Sequence, residues 1–168
     1  MIVIVDENDN VIGSKGRNEL ATGDIYRVTG LWITNSRGQV LMAQRAFTKK
    51  KDPGVWGPAV AGTVEDGESY DDNMLKEVAE EIGLSLSIDQ LRRGPRMCMP
   101  REGNRFWNQW YYYKTDASIS EFTIQEAEVA ALRWFESDEL IRAIAETPEQ
   151  FTRNAPNWID AVMSGANS

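Results

Sequence analysis

The sequence predicts an α/β fold in which a mixed sheet is packed between helices, and three observations carry that expectation. Apolar runs of strand character lie on both sides of one segment with helical periodicity. That segment places Tyr70, Met74, Val78 and Ile82 at four-residue intervals, with Leu75 and Ala79 beside them and Gly83 as its stop. Two helical signals close the chain: Ser137 as the N-cap of a helix reaching Glu146 with Pro148 beyond it, and Pro156 to Met163 with Gly165 after it.

Taken in order, Met1 to Val5 and Val11 to Gly13 read as short strands around a turn rich in Asp and Asn. Lys15 to Gly23 is a polar connection. Ile25 to Thr34 and Gln39 to Arg45 flank Asn35-Ser36-Arg37-Gly38, whose composition suits a hairpin loop, so the two runs should pair antiparallel. Thr48 to Pro58 holds three consecutive lysines, two prolines and two glycines, and reads as a loop or short irregular strand leading into Ala59-Val60-Ala61. Gly94 to Met99, Arg105 to Thr115 and Val129 to Phe135 complete the strands, the second unusually aromatic. No repeat, low-complexity segment or linker divides the chain, so residues 1–168 are expected to form a single domain.

Composition removes whole chemistries. Among 168 residues there is no His and one Cys, Cys98. Ser-His-Asp and Cys-His catalysis are therefore excluded, as are the usual zinc sites and an internal disulfide. A cytoplasmic location is expected. The net charge of −8 and a pI near 4.7 argue against a nucleic acid polymer as partner, since that work needs a dominant basic face. Acidic chains still bind phosphates through a metal. The apolar opening is too short for a signal or a span and runs at once into Asp6-Glu7-Asn8-Asp9, so no membrane partner is expected.

The stretch from Gly62 to Leu84 is the most informative. At one residue per 100°, Glu77, Glu80 and Glu81 fall within roughly 100° of arc, away from the stripe of Val78 and Ile82. Like charges on adjacent turns repel, and a divalent cation turns that repulsion into a binding site. An isolated pair of glutamates would be a solvated helix face, but the full spacing changes the reading. Gly62, Glu68, Glu77, Val78, Glu80, Glu81, Gly83 and Leu84 resemble the signature of the Nudix hydrolases, with Lys76 where the family usually has Arg.

The resemblance implies a Nudix-type α/β/α sandwich and metal-dependent hydrolysis of a diphosphate bond. The substrate it implies is a nucleoside diphosphate linked to another group, or a nucleoside triphosphate. It makes Glu77, Glu80 and Glu81 ligands of Mg2+ or Mn2+, with the backbone carbonyl of Ala61 as a further ligand and Glu68 as an auxiliary ligand or outer support. Lys76 should pair with Glu68 as a point charge, without the fork of a guanidinium, which predicts a looser site. The proton acceptor stays open between Glu128 ahead of Trp134, its rivals Glu126, Glu121 and Glu102, and Glu77 or Glu81.

Beyond the box, the chain resembles the branch that contains isopentenyl-diphosphate isomerase. That chemistry uses a Cys near the position of Ala61 and Gly62, metal-binding His, and acidic residues where Asn108-Gln109-Trp110 stand here. Isomerase activity is not expected. A non-catalytic nucleotide sensor is the other alternative, and retention of every carboxylate argues against it. Outside the box, Arg45 and Lys49, with Lys50 and Lys51, offer one basic set for substrate. Arg92, Arg93, Arg96, Arg101 and Arg105 offer another, or an ordinary solvated loop. Trp107, Gln109, Tyr111 and Tyr113 share one strand face, where a ring beside an amide could stack a base and read its edge, or where all four are core. A homodimer paired through an exposed sheet edge or the N-terminal strands is one arrangement the sequence allows.

Overall fold

A computed structural model describes residues 1–167. Its elements are β1 (Ile2–Val5), β2 (Val11–Lys15), β3 (Ile25–Thr34), β4 (Val40–Arg45), β5 (Trp56–Pro58), β6 (Val60–Thr63), α1 (Tyr70–Ile82), β7 (Arg92–Arg101), β8 (Asn104–Lys114), β9 (Val129–Phe135), α2 (Ser137–Glu146) and α3 (Ala155–Ala166). All nine strands join one mixed sheet.

β3 organises the sheet. Along one edge it runs parallel to β8 over its whole length, from Ile25 opposite Arg105 to Thr34 opposite Lys114. Along the other edge it pairs antiparallel with three short partners in turn: β1 at Ile25 and Tyr26, β6 from Val28 to Leu31, and β4 at Ile33 and Thr34. β4 carries β9 and β5 outward, β8 carries β7, and β1 carries β2. The edge strand β2 leaves Val11 and Ile12 exposed.

The period-2 alternation of β3 and β8 sends successive side chains to opposite faces. Leu31, Ile33 and Tyr111 pack with Met74, Val78 and Ile82 of α1. Trp32, Trp110 and Tyr112 pack with Leu140 and Ile144 of α2 and Trp158 and Val162 of α3. The second face is built on indoles, with Trp158 lying 4.8 Å from Trp110 and 5.7 Å from Trp32 between ring centroids. Gly30 makes room for this layer, since a Cβ there would meet the Trp110 ring at 2.9 Å.

Local signals account for the boundaries of α1. Ser69 Oγ accepts the Asp72 N–H at 3.1 Å, and the Asp72 carboxylate accepts the Ser69 N–H at 3.0 Å, a reciprocal capping box. Gly83 ends the helix at φ 72°. In the β3–β4 hairpin, Asn35 Oδ1 accepts from the N–H groups of Arg37 and Gln39, as an Asx side chain does when it mimics a turn.

Several boundaries differ from the sequence reading. Ser137 is the first residue of α2 rather than its cap, and its hydroxyl donates to the Gly38 carbonyl at 2.5 Å. Gly165 lies inside the last turn of α3, where a Cβ would collide with the Tyr112 hydroxyl, so its smallness serves packing rather than termination. Leu75 is only half-buried and Ala79 exposed, and the buried stripe of α1 instead includes Asn73. β7 extends over Arg92–Arg101, with a bulge between Arg93 and Arg96 around Gly94 and Pro95.

Candidate active site

α1 lies against β6 with Glu77 and Glu81 toward the strand. Gly62 is what permits the approach, because a Cβ there would run into Glu77 Cγ. One turn further on, Glu81 Oε2 accepts the Ala61 N–H at 3.3 Å. Burial comes first among the influences on both carboxyls. It pushes Glu77 up to about 6 against the pull of the Lys76 ammonium. It pushes Glu81 up to about 8, helped by the charges of Glu77 and Glu128. Glu80 is exposed.

Glu68 is held differently. Although burial alone would raise it, hydrogen bonds from Lys76, the Glu65 N–H and Asn73 bring its carboxyl below the usual range. Lys76 Nζ stands 2.5 Å from Glu68 Oε1, 3.4 Å from Glu65 and 3.9 Å from Glu77. Lys76 thus bridges loop and helix as a point charge, as the resemblance implies. Lys76→Arg should keep or raise activity, since a guanidinium adds a second parallel bond to Glu68. A large loss in a steady-state assay would contradict this bridging role.

Asn73 is the contributor that sequence reading missed. It is fully buried. Its Oδ1 accepts the Thr29 hydroxyl at 2.6 Å, and its Nδ2 donates to the Thr63 carbonyl at 3.1 Å, Glu68 at 2.9 Å and Glu77 at 3.4 Å. One amide therefore ties β3, β6 and the loop before α1 to the helix one turn ahead of Glu77. The available signal was a polar residue beside the apolar stripe, at i−4 from a glutamate of the box. Asn73→Leu leaves the Thr63 carbonyl and Thr29 hydroxyl without this partner and should cost about 1–3 kcal/mol in denaturant unfolding. An unchanged midpoint would refute that role.

The fold brings distant residues to the same place. Glu128 lies close enough to Glu81 to raise it, and its carboxylate pairs with Lys49 at 2.5 Å. The rivals of Glu128 lie elsewhere or are engaged: Glu121 accepts the Ser118 N–H, Glu102 pairs with Lys51 and Arg153, and Glu126 is exposed. Beside Ala61, on the other face of the sheet, opens a cavity of about 360 Å³. Arg45 lines it, but its Nε and Nη2 hold the carbonyls of Asp52 and Lys51, so much of its fork shapes the loop after β4. Trp107 and Gln109 do not reach this cavity. Trp107 packs against the cluster of Val3, Val5, Ile25 and Val64, and Gln109 Nε2 donates to the carbonyls of Gly94 and Trp110. Their alternation is as read, but the cavity opens on the opposite face, at Phe106, Asn108 and Trp110.

The donor set suits a hard divalent cation: carboxylate and carbonyl oxygens, a glycine that lets Glu77 approach the strand, and two carboxyls raised by crowding and burial. Among the described residues no three acidic side chains converge into a ready-made cage. Among those residues, too, no helix is long and apolar enough to cross a membrane.

Comparison with known proteins agrees with the geometry. The NUDIX domain model matches residues 25–155. An uncharacterized Nudix hydrolase of Pseudomonas aeruginosa is 33% identical over 135 residues, 80% of this chain and 77% of its own length. A prenyl-diphosphate phosphatase of Methanosarcina mazei is 31% identical over 156 residues, 90% of this chain and 88% of its own. An isopentenyl-diphosphate Delta-isomerase of an Enterobacter is 24% identical over 154 residues, 90% of this chain and 84% of its own. A crystal structure from Deinococcus radiodurans superposes with a TM-score of 0.76 at 23% identity, covering 95% of this chain and 96% of that one. With the family model spanning most of the chain, and with Glu77 and Glu81 of the box packed on α1 against β6, the chain belongs to the Nudix family of hydrolases.

Proposed function

We propose that this protein hydrolyses the diphosphate bond of a small organic diphosphate with Mg2+ or Mn2+ as cofactor, its substrate a nucleoside diphosphate linked to another group or a nucleoside triphosphate. The observation that carries this reading is the packing of Glu77 and Glu81 against the β6 backbone at Ala61 and Gly62, on the strand that also lines the cavity. Glu77, Glu80, Glu81 and the Ala61 carbonyl would hold the cation, with Glu68 supporting them through Asn73 and Lys76. Once bound, such a cation neutralises diphosphate charge and makes a water nucleophilic near neutral pH.

The remaining roles belong to the chain itself. Glu128 is our choice for the proton acceptor, because it approaches Glu81 and a lysine partner fixes it. Lys49, the partner of Glu128, is our candidate for binding a substrate phosphate. The apolar floor of the cavity and the Methanosarcina relative support a second reading, a prenyl diphosphate as substrate. Isomerase chemistry has no support among the side chains, since the chain has no His and Cys98 is exposed on β7, outside the cavity lining. A turnover screen of nucleoside triphosphates, nucleotide sugars, ADP-ribose, dinucleoside polyphosphates and prenyl diphosphates tests the proposal. Metal-dependent phosphate or nucleotide release is expected, and tight binding without turnover across the panel would favour a sensor instead.

A further inference from the structure

On that reading of the site, we infer that Asn108 and Arg101 form the subsite that selects the group attached to the diphosphate, and that this group is a planar heteroaromatic ring rather than a hydrocarbon chain. The floor of the cavity is apolar, formed by Val28, Pro58, Phe106, Trp110 and Trp158. Asn108 is the buried polar side chain of the lining, where Asp52, Thr152 and Asn154 are more exposed. The residue is 6% exposed, and its Oδ1 has no hydrogen-bond partner among the described residues. The Trp110 indole N–H is likewise unpartnered. Buried polar atoms are costly to leave unpaired, so an amide kept at this place points to a ligand that pairs with it.

The arginines narrow the choice further. Four of the five between positions 92 and 105 are engaged within the protein: Arg92 with the Gly165 carbonyl, Arg93 with Asp71, Arg96 with Asp9 and Arg105 with Glu7. Arg153 at the cavity is also engaged, with Asp52 and Glu102. Arg101 lines the cavity, half-buried, with no ion pair or side-chain hydrogen bond among the described residues. A guanidinium stacks on a planar ring or binds its acceptor atoms, while aromatic residues supply the opposite surface. The carboxamide offers one donor and one acceptor side by side, matching a ring edge that carries both. A prenyl chain would cover the floor but shut the Asn108 amide away from every partner.

The test compares wild type, Asn108→Leu, Arg101→Met and Arg101→Lys with ADP-ribose and geranyl diphosphate, by steady-state kinetics with Mg2+ and by calorimetric binding in chelator. Asn108→Leu should lower kcat/KM and affinity for ADP-ribose by about 10- to 100-fold, mostly through KM, and leave geranyl diphosphate unchanged or improved. Arg101→Met should weaken ADP-ribose about tenfold without changing thermal stability, with partial rescue in Arg101→Lys. Equal losses on both ligands, or no loss on either, would overturn the subsite while hydrolysis by wild type kept the function proposal intact. Selective loss of ADP-ribose binding in a protein that turns over neither ligand would uphold the subsite, and absence of turnover across the wider substrate panel as well would remove the hydrolase reading. If Asn108→Leu fails to fold, the Arg101 pair decides the matter alone.

Discussion

Glu81→Gln is expected to lower kcat by about 10²- to 10⁴-fold, the range lost when a positioned carboxylate is removed from a proton-transfer or charge-stabilising role. The same change should stabilise the protein in chelator. Burial, and then the Glu77 and Glu128 charges, raise the Glu81 carboxyl from an ordinary 4.5 to about 8. The folded chain therefore holds a proton there that the unfolded chain releases, so stability falls as pH rises from about 4.5 towards 8. Gln carries no such charge. In chelator at pH 8 its melting temperature should exceed that of wild type, by about 2–4 °C for each kcal/mol recovered, and the difference should vanish near pH 4. An unchanged kcat would refute the catalytic assignment, and a lower melting temperature at pH 8 would refute the electrostatic one.

Asp9→Ala should be strongly destabilising, at about 3–5 kcal/mol in urea unfolding. Asp9 is buried at 7% exposure and sits at φ 64° in the turn between β1 and β2. Its carboxylate accepts from Arg27 Nε at 2.7 Å, Arg96 Nη1 at 2.9 Å and the Tyr70 hydroxyl at 3.1 Å. Its backbone carbonyl accepts a further bond from Arg27 at 2.5 Å. Truncation strands a largely buried guanidinium and frees the first residue of α1. Arg96→Met removes a half-exposed partner and should cost only about 1 kcal/mol or less. A loss of similar size for both substitutions would contradict the burial argument.

What could be read from the sequence follows the range over which the physics acts. The α1 carboxylates were legible because helix geometry is local: three positions and 100° per residue fix their common side without any knowledge of the sheet. The Ser69 and Gly83 caps and the Asn35 turn are local in the same sense. Asp9 was not legible. Asp6-Glu7-Asn8-Asp9 has the composition of a solvated turn, and the partners that bury its last member stand 18, 61 and 87 positions away.

β8 lies between these cases. Alternation separates Trp107, Gln109 and Tyr111 from Phe106, Asn108 and Trp110, but period two names the sets without saying which one turns to a cavity. That depends on where α1 and α3 pack, which is decided by β3 and its partners. The arginine cluster failed for a related reason. Whether a cation is free for a ligand depends on long-range partners such as Asp71, Glu7 and the Gly165 carbonyl, and these leave only Arg101 of the five without an ion pair or side-chain hydrogen bond among the described residues.

The most direct test of the central claim is Mn2+ binding, followed by calorimetry on wild type and on Glu80→Gln, with diphosphate hydrolysis measured on the same samples. Glu80 is exposed, so its replacement leaves the fold intact and removes only a prospective ligand. The expected result is a single Mn2+ site in wild type, weakened at least tenfold in the variant, with hydrolysis falling in parallel. Equal Mn2+ affinity in both proteins, or hydrolysis that survives both the substitution and chelator, would contradict the assignment of α1 as the metal helix.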